Sequence, residues 1–266
     1  MTNRVKRYDG VITLEQRQAI SKRYKRITKV INSEFWNLSS DTKNSFYVGS
    51  YGRGTAISTS DIDILVNLPK NLFDNYNNLS GNGQSRLLQA IRTALIQTYP
   101  NSDIRADGQI VKIRFSDGIL FEILPAFQKL DGTYIYPNTN SGGNWLSTNP
   151  KAEQETMSEK NISSNGLLIA TCQHMRYIRD NHFKSYKLSG IVIDSFVFHA
   201  MKNWKFVSEG ESSSAPGSYE QILLDYFNEN AFLWDIISLR APGSQDEVET
   251  KKSIDCLEKV LKYMVG

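Results

Sequence analysis

Two carboxylates inside an apolar strand pattern constrain this chain more than any other feature. Asp61 and Asp63 stand two residues apart in a run that continues through Ile62 and Ile64 to Val66. Side chains two apart on a strand point to the same face. Two like charges on one face raise each other's proton affinity, and a divalent cation between them removes that cost. The pattern therefore predicts a strand that carries a metal site.

A third acid has a matching context. Glu122 lies in an apolar run, 120–124, that follows a Ser-Asp-Gly turn at 116–118 and an alternating run from Val111 to Phe115. This turn and this period predict a β-hairpin. If the hairpin pairs beside the strand of Asp61 and Asp63, three carboxylates converge, as two-metal phosphoryl transfer requires. The alternative is that the three acids are unrelated exposed positions on strands.

A Gly-Ser pair precedes the two aspartates at a fixed distance. Gly49 and Ser50 follow a short β-like run, 46–48, and Asp61 comes eleven residues after Ser50. Glycine lets the backbone approach a phosphate, serine adds a hydroxyl donor, and successive loop N–H groups can bind an anion. Arg53 in the same loop adds positive charge. The P-loop motif Gly-x-x-x-x-Gly-Lys-Ser/Thr is absent from the sequence, so that kind of nucleotide site is excluded.

These motifs together resemble the DNA polymerase β-type nucleotidyltransferase superfamily. Within it, the segments 48–64, 121–126 and 144–151 are similar to the bacterial cyclic-oligonucleotide synthases, the CD-NTases. The resemblance implies an α+β fold, with a nucleotidyltransferase core and its N-terminal spine helix in 1–150 and a helical lobe in 151–266 that closes the nucleotide cleft. It also implies Mg²⁺-dependent joining of NTPs into a cyclic di- or trinucleotide, a second messenger of anti-phage (CBASS) defence.

The resemblance also assigns roles to residues. Asp61, Asp63 and Glu122 would bind two Mg²⁺ ions, or Mn²⁺, and Glu122 stands where Asp is commoner. Arg176 would hold the donor triphosphate from the helical lobe, where Lys is more usual, with Ser185 as a further nucleotide-binding candidate. A downstream effector would read the product without necessarily binding this protein.

Two other functions stay open at this stage. The chain could be a nucleotidyltransferase that modifies RNA, protein or an antibiotic, in which case label from an NTP would pass to that acceptor. It could instead be an inactive nucleotide-binding module, which would bind NTPs without releasing pyrophosphate.

Positive charge is concentrated at the N-terminus. Residues 1–30 contain nine Lys and Arg against two acids, a net charge of +7 in a chain of 266 residues whose total is +3. A capping box at Thr13 and apolar residues at helical spacing predict one amphipathic helix over 14–37. Its basic face is either solvated or in contact with a nucleic acid.

Hydropathy predicts no membrane segment, because no run approaches the roughly 20 apolar residues that span a bilayer. The two cysteines, Cys172 and Cys256, are expected to be reduced core thiols in a cytoplasmic protein. The periodicity predicts the following remaining elements: a strand at 62–66, loops at 70–83 and 131–151, and helices at 85–99, 152–182, 187–208, 218–239 and 245–264.

Overall fold

A computed structural model describes residues 4–7, 11–208, 211–212, 218–231, 234 and 239–266. The chain forms two compact units. The sheet unit comprises Ile12–Gly52 and Asp61–Pro150, and the helical unit comprises Met1–Val11, Arg53–Ser60 and Lys151–Gly266. The segment between Gly52 and Asp61 therefore belongs to the helical unit, although residues on both sides of it belong to the sheet unit.

The sheet unit contains a seven-stranded mixed sheet. Five strands lie in the order β1-β2-β5-β4-β3, and β6 joins β5 to β7. The β2–β5 pair is parallel and the other pairs are antiparallel. Its elements are α1 (Leu14–Trp36), β1 (Ser45–Tyr47), α2 (Gly49–Gly52), β2 (Ile62–Asn67), α3 (Lys70–Asn77), α4 (Gly83–Thr98), β3 (Asp103–Asp107), β4 (Ile110–Arg114), β5 (Leu120–Gln128), β6 (Tyr134–Asn138), a 3-10 turn (Asn140–Gly142) and β7 (Asn144–Thr148).

One face of this sheet packs against α1 and α4. The apolar alternation of the strands places Ile62, Phe121 and Ile113 in one buried cluster with Ile27 and Ile91 of the two helices. Alternate residues of the same strands point to the opposite face. That face is therefore available for the polar side chains of β2, β5 and β4, as their pattern predicted.

The helical unit has its own core, formed by helices of the second half of the chain. Cys172 and Cys256 are both buried and unbridged. In the described ranges, no helix combines the length and apolar character needed to cross a membrane. The elements of the helical unit are α5 (Pro150–Ser163), α6 (Leu167–His182), α7 (Gly190–Ala200), β8 (Phe206–Ser208), β9 (Glu211–Ser212), α8 (Ser218–Glu229), β10 (Leu239–Arg240), β11 (Glu247–Val248) and α9 (Ile254–Val265).

The α+β fold class, the hairpin and helix α1 are confirmed, but two predicted loops are wrong. Residues 70–77 form helix α3, and the segment 131–151 contains the β6–β7 hairpin. Both segments are rich in Asn, Gly, Ser or Thr, which favour loops, yet their aromatic residues pack against the sheet. Phe73 and Trp145, for example, contact each other with ring centroids 4.9 Å apart. Tertiary packing therefore overrode local composition.

The predicted helices of the second half are shorter in the structure. The single helix expected over 152–182 is divided between α5 and α6 at Gly166, whose φ of +88° interrupts the helix. The helix expected over 187–208 is limited to α7, and that over 245–264 begins only at Ile254. Part of the helix expected over 218–239 lies outside the described residues.

Candidate active site

Four charged residues form one row across the open face of the sheet. Asp63 on β2 is the register partner of Glu122 on β5, Glu122 is the partner of Lys112 on β4, and Lys112 is the partner of Arg105 on β3. Register partners on neighbouring strands share a face and lie about 5 Å apart. We refer to Asp63, Glu122, Lys112 and Arg105 as the charged row. Its acidic half lies toward β1 and its basic half toward the β3 edge.

The backbone of α2 lies against the acidic end of this row. Val48 donates a backbone hydrogen bond to the carbonyl of Asp63, with N and O 2.9 Å apart. Gly49 has a φ of +59°, and a Cβ there would lie 2.0 Å from Oδ2 of Asp63. Only glycine allows this approach without displacement. Gly49 thus lies directly against a carboxylate, and Ser50 follows it in the chain.

Glu122 lies between an acid and a base. Lys112 Nζ is 3.4 Å from Oε1 of Glu122 and 2.9 Å from Oδ2 of Asp107. The pKa of Glu122 is raised above its usual 4.5, chiefly by burial; Lys112 opposes this shift and Asp61 adds to it. Asp63, the register partner of Glu122, adds a second carboxyl group beside it.

The same carboxylates suit a hard divalent cation by their chemistry, since Mg²⁺ and Mn²⁺ prefer oxygen ligands. Asp61 is exposed and close enough to Glu122 to affect its pKa. Among the described residues, however, no three acidic, His or Cys side chains are already arranged to hold a metal.

A second cluster of charges lies inside the helical unit. Asp194 on α7 is fully buried and accepts hydrogen bonds from both terminal nitrogens of Arg176, at 2.7 and 2.9 Å. Its Oδ2 also accepts from Nε of Arg53 and from the hydroxyl of Thr55, both at 3.0 Å. Arg53 donates in turn to Oε2 of Glu153 at 2.7 Å. We refer to Arg53, Glu153, Arg176 and Asp194 as the buried ion cluster.

This cluster bears on three of the predicted nucleotide-binding residues. The guanidinium groups of Arg53 and Arg176 are buried and already paired with carboxylates. Ser185 lies exposed in the turn between α6 and α7. The structure brings Gly49, Asp61, Asp63 and Glu122 together in the sheet unit, and it holds Arg53 and Arg176 together in the helical unit. A direct contact of Arg53, Arg176 or Ser185 with nucleotide stays a prediction.

Sequence reasoning did not single out four residues of these clusters: Arg105, Lys112, Glu153 and Asp194. The sequence could have indicated Lys112, because its neighbours Val111 and Ile113 are apolar and place it on the polar face of the hairpin. Glu122 lies on the same face of the other strand of that hairpin. The sequence could also have indicated Asp194, because it is an acid within the apolar run of 191–197. Its partner Arg53 lies 141 residues away in sequence, and no local pattern identifies such a pair.

Solved structures of bacterial cyclic dinucleotide synthases share this fold. The structure is similar to that of the cyclic dinucleotide synthase CdnE of Elizabethkingia meningoseptica, solved with GTP and Apcpp, with a TM-score of 0.63 and 14% identity, over 91% of this chain and 89% of that chain. It is also similar to the c-di-GMP synthase CdnE of Capnocytophaga granulosa, with a TM-score of 0.66 and 18% identity, over 93% and 79% of the two chains.

Sequence comparison identifies the family. Residues 6–161, more than half of the chain, match the Second Messenger Oligonucleotide or Dinucleotide Synthetase (SMODS) domain, and the chain belongs to this family. A probable cyclic nucleotide synthase of Bacillus cereus (strain VD146) is 23% identical over 224 residues, which cover 79% of this chain and 66% of that protein. The chain thus spans just under two thirds of that relative's length.

Proposed function

We propose that this protein is a metal-dependent nucleotidyltransferase that joins NTPs into a cyclic di- or trinucleotide, which acts as a second messenger in anti-phage (CBASS) signalling. Family membership supports the reaction class. The observation that carries the proposal is the register pairing of Asp63 with Glu122 beside the backbone of Gly49. This pairing brings a candidate metal ligand, a candidate base and a phosphate-binding turn to one end of the open sheet face.

In the proposed reaction, Gly49 and Ser50 hold the donor triphosphate through backbone N–H groups and the serine hydroxyl. A ribose hydroxyl of the acceptor attacks the donor α-phosphorus, and a new P–O bond forms as the bond to pyrophosphate breaks. Glu122 accepts the hydroxyl proton. A second transfer of the same kind closes the ring and releases a second pyrophosphate.

The proposed metal ligands are Asp61, Asp63 and Glu122. Two Mg²⁺ ions, or Mn²⁺, held there would supply the positive charge that activates the hydroxyl and neutralises the triphosphate. The carboxylates of Asp63 and Glu122 are on paired strands, and Asp61 is close enough to influence Glu122, so the three can supply the oxygen ligands that these cations need. We propose that Arg53 and Arg176, whose charges are engaged by Asp194, fix the loop that precedes Asp61 rather than only contacting phosphate.

A direct assay tests the proposal. We expect purified protein with four NTPs and Mg²⁺ or Mn²⁺ to yield a phosphatase-resistant product that mass spectrometry identifies as cyclic. The double variant Asp61→Ala with Asp63→Ala should make none, because both lost groups are metal ligands, while circular dichroism shows a retained fold. Asp74→Ala with Asp131→Ala removes two acids elsewhere in the sheet unit and should leave product formation unchanged.

The assay also separates the alternative function. Unchanged product from Asp61→Ala with Asp63→Ala would overturn the assignment of the carboxylates. Label transferred to RNA, protein or an aminoglycoside, with no small cyclic product, would favour a nucleotidyltransferase that modifies one of those acceptors.

We also propose that the basic face of α1 contacts nucleic acid. Lys22, Lys25 and Lys29 are exposed and line a groove of about 630 Å³ between α1 and the end of α4. Binding of double-stranded RNA or DNA, measured by fluorescence anisotropy, should weaken steeply with salt because each phosphate contact releases counterions. Lys22→Glu with Lys29→Glu should weaken it by at least about tenfold, and salt-independent binding would contradict the proposal.

We place the synthesis of the messenger in the cytoplasm, where an effector protein reads it.

A further inference from the structure

The loop 53–60, which leads to Asp61, is attached to the helical unit at its start and at its end. At its start, Arg53 is a member of the buried ion cluster. At its end, the hydroxyl of Thr59 donates to Oδ2 of Asp180 on α6, with the two oxygens 2.5 Å apart. Thr59 and Asp180 belong to the same unit, although they are 121 residues apart in sequence. The reaction described above uses neither of them.

A tight turn connects Thr59 with Asp61. The backbone N–H of Ser60 donates to the carbonyl of Ile57 at 2.9 Å, and the backbone N–H of Ile57 donates to Oγ of Ser60 at 3.0 Å. These two hydrogen bonds fix the turn 57–60 internally. Because two residues span at most about 7 Å of chain, a contact that fixes Thr59 also restricts the position of Asp61.

Asp180 is itself held in place. Its Oδ1 accepts a hydrogen bond from Nε of Arg179 at 2.5 Å, and Nη1 of Arg179 donates to the carbonyl of Leu188 at 2.9 Å. Burial opposes ionisation of Asp180, but the hydrogen bonds from Arg179 and Thr59 outweigh it and lower the pKa of the carboxyl below 3.8. The ionised carboxylate therefore presents Oδ2 to Thr59 as a charged acceptor, the stronger kind.

The hydrogen bond between Thr59 and Asp180 adds little to the stability of the fold. Thr59 is exposed, so water competes for its hydroxyl. The side chains of Ala56 and Ile57 are buried and already keep the loop on the helical unit. The bond instead fixes the last residues before Asp61, a carboxylate that is itself exposed.

We propose that Asp180 is a positioning residue for the candidate metal ligand Asp61, acting through the hydroxyl of Thr59. This role rests on the proposed function and deepens it, because Asp180 sets the metal affinity of the site without contacting the metal. A site whose ligand is correctly placed only part of the time binds with an affinity reduced by that fraction. Loss of the hydrogen bond therefore raises the dissociation constant of the metal.

Mn²⁺ binding to the purified protein tests this role, measured by electron paramagnetic resonance, in which free Mn²⁺ gives the sharp spectrum. We expect Thr59→Val to raise the dissociation constant by about fivefold, the value of one net hydrogen bond. Thr59→Ser keeps the hydroxyl and should restore the affinity of the unaltered protein. In an Asp180→Ala background, Thr59→Val should have no further effect, because the bond is already lost.

Catalysis gives a second readout. Thr59→Val should raise the Mg²⁺ concentration needed for half-maximal synthesis by a similar factor, while kcat at saturating Mg²⁺ stays near that of the unaltered protein. Thr133→Val is the matched control, since it breaks another Thr–Asp hydrogen bond, that of Thr133 with Asp131 at 2.6 Å between β5 and β6. The control should change neither quantity.

The failures are distinguishable. If the unaltered protein binds no Mn²⁺, or binds it equally well after Asp61→Ala, the metal site of the proposed function is wrong and this role falls with it. If Asp61→Ala weakens Mn²⁺ binding but Thr59→Val does not, only the role of Asp180 is wrong. An equal loss from Thr133→Val, or a further loss from Thr59→Val in the Asp180→Ala background, would also overturn that role, since neither depends on the hydrogen bond between Thr59 and Asp180.

Discussion

The charged row and the buried ion cluster contain the same ingredients, two acids and two bases, yet their environments are opposite. In the buried cluster every charge has an opposite partner within hydrogen-bond distance, and Asp194 has two arginines. In the charged row the two acids are neighbours and the two bases are neighbours. The bases of the row also pair with acids, Lys112 with Glu122 and Asp107 and Arg105 with Asp103, but these pairs are more exposed than those of the buried cluster. Buried, fully paired charges hold a structure together, whereas exposed charges can exchange a partner for a ligand.

The pKa values of Asp194 in the buried cluster and Glu122 in the charged row shift in opposite directions. Burial opposes ionisation of Asp194, but Arg176 and Arg53 outweigh it and lower the pKa of its carboxyl below 3.8. Burial likewise opposes ionisation of Glu122, and there Lys112 does not outweigh it, so the pKa is raised. A lowered pKa means that the charged form stabilises the fold, and a raised pKa means that it destabilises the fold.

The largest expected effect comes from breaking the buried cluster. Asp194→Ala leaves the buried charge of Arg176 without a carboxylate partner and removes one of the two carboxylates that pair with Arg53. Removing one partner of a buried pair typically costs about 3–5 kcal/mol. We expect a loss of this size in the free energy of unfolding, measured by urea denaturation followed by circular dichroism.

The exposed ion pair of Asp255 with Lys259 on α9 provides the control. Asp255→Ala removes an acid from the same unit and should hardly change the urea midpoint, because solvent screens exposed pairs. A loss from Asp194→Ala as small as that of the control would mean that the buried cluster does not stabilise the helical unit.

The sequence was sufficient to predict the elements of the site, and insufficient to predict how they are joined. Alternation assigned Glu122 and Asp63 to polar strand faces, and turn chemistry defined the β4–β5 hairpin. Periodicity does not reveal strand order, so the sequence could predict convergence of the carboxylates only on the assumption that β5 pairs with β2. That pairing is what converts two separate acids into neighbours.

The buried cluster shows a different limit. Arg53 lies in a loop rich in Gly, Ser and Thr and is predicted to add positive charge for phosphate, but local sequence cannot reveal that it pairs with a carboxylate 141 residues away. The role predicted for Arg176 came from the family resemblance, which does not reveal its pairing with Asp194 either. Long-range pairing of buried charges depends on tertiary packing, and the only local sign of it was Asp194 within an apolar helix.

The smallest expected effect comes from the charged row, and its sign is opposite. Glu122→Gln replaces a carboxyl whose ionised form is disfavoured in the folded state. Because its pKa is raised from 4.5, the stability that Glu122 contributes is present below pH 4.5 and is lost as pH rises through the folded-state pKa. In EDTA, Glu122→Gln should therefore be more stable than the unaltered protein at pH 8, and nearly equal to it in stability at pH 4.5. Urea denaturation at the two pH values measures this.

Asp194→Ala sharpens the contrast in the same experiment, because the lowered pKa of Asp194 keeps that carboxyl ionised at both pH values. Its loss of stability should then be the same at pH 4.5 and pH 8, while the effect of Glu122→Gln appears only at the higher pH. An exposed acid on α1, changed as Glu34→Gln, should show no difference at either pH. If Glu122→Gln were instead less stable at pH 8, Lys112 would outweigh burial, and the charged row would be a structural ion pair like the buried cluster rather than a site held ready for a ligand.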